Sequence, residues 1–132
     1  PRFLSTWDAG FRAYAVLITN KKFARDHPAE LRAFTRAYLR GWHDYLTGDP
    51  TPAHTALKKA HAPNTDAFLA FSRQAIITEK LVTGRDAHGG PKNIGRLEAA
   101  RYAEQIAQLE ALGLLPKGKL TPATAFTNEF LP

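Results

Sequence analysis

Residues 14–48 read YAVLITNKKFARDHPAELRAFTRAYLRGWHDYLTG, and the change of pattern within them decides the fold class. Tyr14–Thr19 is a short run of β-favouring residues, apolar at successive positions, so its side chains are apolar on both faces. Such a strand belongs in the interior of a sheet and requires neighbours, which the remaining sequence hardly offers. Asn20 then supplies a helix cap for a short helix over Lys21–Asp26, and Pro28 suits the first position of a long one. In that long helix, Pro28–Thr47, the residues Leu31, Phe34, Tyr38, Trp42 and Tyr45 recur at steps of three and four. This is an apolar stripe of helical period, and Gly48 closes it. The expectation is a core made by Trp42, Tyr45 and the rest of the stripe.

Downstream the helical pattern continues. Thr51-Pro52 opens a helix to about Ala60, and Asn64 is positioned to cap another. In the latter, Phe68, Leu69, Phe71, Ala75, Ile76 and Leu81 are expected to face the core, with Gly84 as its end. Residues 85–95 hold three of the glycines and Pro91 and read as a loop. A further helix is expected from about Arg96 to Leu112, with Leu97, Ala100, Ile106 and Leu109 on one side and Gly113 as the stop. Thr121-Pro122 opens a last short turn before the ending FTNEFLP. The fold class that follows is mainly α with one or two short strands.

Upstream, Pro1–Ala13 mixes Phe3, Trp7 and Phe11 with Asp8, Gly10 and two arginines, without a clean period, and reads as an extended segment or loop. Its 132 residues place the chain within the size of one domain, and 44% hydrophobic residues suffice for a core. Methionine is absent, even from position 1, and the expectation is a longer or processed parent. The net charge of +6 raises the question of an anionic partner. Its distribution argues against nucleic acid: Lys21, Lys22 and Arg25 lie beside Asp26 and Glu30. Lys58, Lys59, Arg73 and Lys80 are scattered, with no aromatic-interleaved basic stripe. With no cysteine there is no disulfide framework, redox pair or thiolate zinc site. No run reaches the roughly 18 apolar residues of a membrane span.

Chemical constellations are sparse. His27, His43, His54, His61 and His88 form no HExxH and no i, i+4 pair, so no metal site is expected and they read as solvated surface histidines. Glu98, Glu104 and Glu110 recur at six-residue steps, which spreads them around a helix and gives no acid–base pair. The glycines at 84, 89, 90 and 95 follow no strand and match no phosphate-binding loop. Neither a catalytic group nor a cofactor is expected. The candidate ligand-binding residues are Trp7, Asp8 and Tyr14: aromatics beside a carboxylate, ahead of a buried strand, can stack on and hydrogen-bond a small planar or cationic ligand. Core packing of the two aromatics and a cap or turn role for the aspartate is the alternative.

Taken in order, KFARDHPAELRAFTRAYLRGWHDYL, TEKLVTG, IGRLEAARYAEQIAQLEALGLL and AFTNEFLP resemble the C-terminal half of NMT1/THI5-like solute-binding proteins, over Tyr14–Pro132. The resemblance rests on a strand like YAVLIT, then Lys22-Phe23, a Pro28-started helix with Gly41-Trp42, and the ending Thr127–Pro132. It implies that residues 1–132 are the C-terminal helical portion of one lobe of a type II periplasmic-binding-protein α/β fold. It further implies capture of a small organic solute (a thiamine-precursor pyrimidine, sulfonate, nitrate or similar) for an ABC permease in the membrane. The location implied is periplasmic or otherwise extracytoplasmic, with tethering through an N-terminal part. Homodimerisation to cover an open sheet edge is a further expectation. Two other readings stay open. One is an enzyme like the pyrimidine synthases of thiamine biosynthesis, whose cysteine- and histidine-dependent chemistry sits poorly with a chain lacking cysteine. The other is a basic helical interaction module.

Overall fold

In the computed structural model the described residues are 16–84 and 90–132, and they are mostly helical. Six α-helices follow in order: α1 Lys21–Asp26, α2 Pro28–Thr47, α3 Thr51–Ala60, α4 Asp66–Thr78, α5 Ala99–Ala111 and α6 Pro122–Ala125, with a 3-10 turn at Pro91–Asn93. They belong to two compact units. One comprises Pro1–Asp26 and Arg96–Phe130, the other His27–Gly95 and Leu131–Pro132.

Helix boundaries follow the local chemistry closely. Asn20 Oδ1 accepts from the Phe23 amide at 2.7 Å, so α1 begins where its cap lies. Pro28 occupies the first turn of α2, where a missing N–H costs nothing. Asp49 accepts from both the amide (2.9 Å) and the hydroxyl (2.7 Å) of Thr51 and so turns the chain into α3. At α4 the cap is Thr65, whose hydroxyl accepts from the Phe68 amide at 3.2 Å, one residue after the expected Asn64. Asn64 instead donates through Nδ2 to the Leu57 carbonyl at 3.2 Å, closing α3 rather than opening α4.

The same six-residue ending closes α4 and α5. After α5, Gly113 takes φ +69°, its amide reaches Glu110 O at 3.1 Å and the Leu114 amide reaches Leu109 O at 2.9 Å. After α4, the Lys80 amide reaches Ile77 O at 3.2 Å and the Leu81 amide reaches Ile76 O at 3.0 Å. Lys80 there takes φ +50°, a position that glycine usually fills. Helix α4 therefore ends at Thr78, short of the expected Gly84, and Leu81 leaves the helix with 65% of its surface exposed.

The long helix α2 is rotated relative to its expected stripe. Its contact face runs through Leu31, Thr35, Leu39, Trp42 and Leu46, with Thr35 6% exposed and the others half-buried. At 100° per residue this face lies roughly 60° from the centre of the Leu31–Phe34–Tyr38–Trp42–Tyr45 stripe. Phe34 and Tyr38 consequently sit on its flank, 56% and 40% exposed, and only partial burial holds for Trp42 and Tyr45. The reason is the Thr35 hydroxyl. By donating to the Leu31 carbonyl at 2.8 Å it needs no outside partner, so a short side chain can occupy the line of closest approach. In the same unit Ile94 is buried, and Gly95 lies so close to Leu39 that an added Cβ would collide with its Cδ2.

Two expectations about burial and strands need correction. Leu69 is the buried residue of α4, at 5% exposure, while Phe68 and Phe71 stand out in solvent. Among the described residues no strand forms: 16–20 have no regular structure, and Ile18 is 89% exposed. Tyr14 and Ala15, the start of the expected strand, lie outside the described residues. A strand exists only through backbone bonds to a neighbour, and none of the described residues offers one.

In the other unit α5 packs against α6, and Tyr102 of α5 stacks on Phe126, the residue just after α6, with centroids 4.5 Å apart. The ending is anchored by Asn128, whose Oδ1 accepts from the Leu97 amide at 3.0 Å and whose Nδ2 donates to the Leu97 carbonyl at 2.8 Å. One side-chain amide thus does for Leu97 what a neighbouring strand does elsewhere. Helix α5 starts at Ala99, three residues later than expected, because the preceding Leu97 is held by this clamp in a non-helical segment.

Two outcomes follow. Replacing Asn128→Ala removes both bonds and should cost about 1–3 kcal/mol, with faster hydrogen exchange at the Leu97 amide and no change at the α2 amides. Unchanged exchange at Leu97 would show that the clamp contributes nothing. Lys80→Gly should raise stability by about 1 kcal/mol in denaturant melts by relieving the left-handed lysine, whereas Gly113→Ala should lower it by a similar amount.

Candidate functional site

The three ligand-binding candidates, Trp7, Asp8 and Tyr14, all lie outside the described residues. Within the unit His27–Gly95, Arg73, Tyr45, His54 and Asp49 come together at the end of α2, where the chain turns into α3. There Arg73, from α4, donates through Nε to the Tyr45 carbonyl at 2.7 Å. Its Nη2 donates to the Leu46 carbonyl at 3.0 Å and the Gly48 carbonyl at 3.2 Å. These oxygens include the last acceptors of a helix, which have no partner within it and carry the negative end of its dipole. A planar guanidinium meets several of them at once, which an ammonium cannot.

Tyr45 is the hub of this cluster. Its ring takes Trp42 edge-on at 6.2 Å and His54 at 5.8 Å, and the Arg73 guanidinium carbon lies 5.9 Å from its centroid. Its hydroxyl is 3.3 Å from His54 Nε2. Asp49 lies in the same turn, and the two bonds from Thr51 hold its carboxyl below the ordinary carboxylate range, with His54 and Arg73 adding a smaller attraction. Lys58 likewise holds the Asp66 carboxyl down through a 2.6 Å ion pair that links α3 to α4.

Chemically this arrangement is a clamp. The guanidinium is occupied by backbone carbonyls, and the aromatic rings are turned against each other, so the groups fix the α2–α3 corner and the position of α4 on it. In the sequence Arg73 is one of several scattered basic residues. Its partners are 25 to 28 residues away, a distance at which no local pattern can signal a contact.

The remaining histidines are dispersed. His27 faces Glu30 at 3.4 Å and His43 faces Asp44 at 3.4 Å, both in exposed positions, while His88 lies outside the described residues. Among the described residues no group of three His, Cys, Asp or Glu is arranged to hold a metal ion. Glu98 pairs with Arg96 at 3.5 Å, and Glu110 accepts from the Gly118 amide at 2.7 Å, which fixes the turn after α5. Among the described residues no helix is long and apolar enough to cross a membrane.

Substituting Arg73→Leu should destabilise the protein by roughly 1.5–3 kcal/mol in denaturant melts, and Arg73→Lys should recover only part of the loss, because it keeps the charge without the fork. Full recovery by lysine would reduce the clamp to a charge effect. Because the Asp49 pKa is depressed on folding, its interactions contribute stability above the ordinary value of 3.8, and that contribution is lost as pH falls through the lowered one. An NMR titration should find the Asp49 carboxyl ionising at lower pH than a free aspartate, and Thr51→Ala should move it upward.

Residues 2–53 match the family model described as NMT1/THI5 like. The match runs from the N-terminal segment through α1 and α2 into α3, so α4, α5 and the anchored ending lie beyond it. No curated protein and no solved structure matches the chain. Over residues 2–53, then, the chain is similar to the NMT1/THI5-like family.

Proposed function

We propose that this chain is the C-terminal helical portion of one lobe of the substrate-binding component of an ABC import system. That component captures a small organic solute such as a thiamine-precursor pyrimidine, a sulfonate or nitrate and delivers it to a membrane permease outside the cytoplasm. The observation that carries this reading is the NMT1/THI5-like match, which covers Trp7, Asp8, Tyr14, the β-favouring run and the long proline-started helix together. In this reading Val16, Leu17 and Ile18, now exposed, form a strand within the sheet of the complete lobe, where their backbone finds partners. Trp7, Asp8 and Tyr14 then lead into that strand and contribute to the ligand cleft, the aromatics by stacking and the carboxylate by hydrogen bonding.

The role of the described helices is support. Arg73, Asn64, Thr65 and Asn128 all spend their polar atoms on the backbone, fixing helix ends and the chain's ending. A binding protein that closes two lobes on a ligand needs helices whose ends are fixed in this way, and affinity then comes from a concave site rather than from a poised catalytic group.

The test is a thermal-shift screen of the natural protein that carries this sequence, against pyrimidines, alkanesulfonates and nitrate. A ligand at about 100 times its Kd should add about 2.7 kcal/mol of stability, and Trp7→Ala or Asp8→Asn should reduce the shift. If no compound shifts the melt, and DNA binds with an affinity that falls steeply with salt, the import reading gives way to that of a basic binding module. Chemical turnover of a shifting compound would replace binding by catalysis.

A further inference from the structure

We draw no further inference here: the strongest candidate, the exposed, stacked rings of Phe34 and Tyr38 on the flank of α2, carries none because nothing in the structure shows what covers it.

Discussion

Three carbonyl oxygens at the end of α2 and one guanidinium on α4 set the geometry on which the unit His27–Gly95 depends. A helix ends with acceptors that its own ladder cannot satisfy, and leaving them unpaired away from water costs as much as a lost hydrogen bond. Arg73 satisfies them from a different helix, so one contact both terminates α2 and fixes α4. Around it the Tyr45 ring gathers Trp42, His54 and the guanidinium into a cluster whose members hold one another in place. The corner into α3 is then fixed separately by Asp49 and Thr51.

The other unit solves the same problem with a neutral group. Asn128 presents one donor and one acceptor to Leu97, and these replace the partner strand that an isolated extended segment would otherwise need. The stacked rings of Tyr102 and Phe126 add apolar contact beside it. Both units are thus held by side chains that reach distant backbone, and the described residues bury few large apolar side chains: Leu69 and Ile94. Burial of that extent makes hydrogen bonds to backbone a larger share of cohesion than in a domain with a deep core.

This construction accounts for the outward aromatics. Helix α4 is apolar around much of its circumference, with Leu69 inward and Phe68 and Phe71 outward. A helix of that composition is stable in water only where one side is anchored, and the anchor here is polar. The β-favouring run before α1 shows the converse case. Val16, Leu17 and Ile18 have the composition of a buried strand but no backbone neighbour among the described residues, and they stay irregular.

The positions of α1, α2 and α3, the stop after α5 and the short helix after Thr121 were legible in the sequence. Caps, prolines at helix starts and glycine at a left-handed position act within four to six residues, so local order contains the whole cause. The rotation of α2 was not legible, because Thr35 counts as polar until its hydroxyl is seen to bond to its own helix. The early end of α4 was hidden by a lysine in the place of a glycine. Trp7, Asp8 and Tyr14 were chosen from side-chain chemistry and their place before the β-favouring run, and the described residues do not include them. Only the tertiary structure could reveal the two clamps, since Arg73 and Asn128 meet partners 25 to 31 residues away, and contacts between such distant residues leave no period in the sequence.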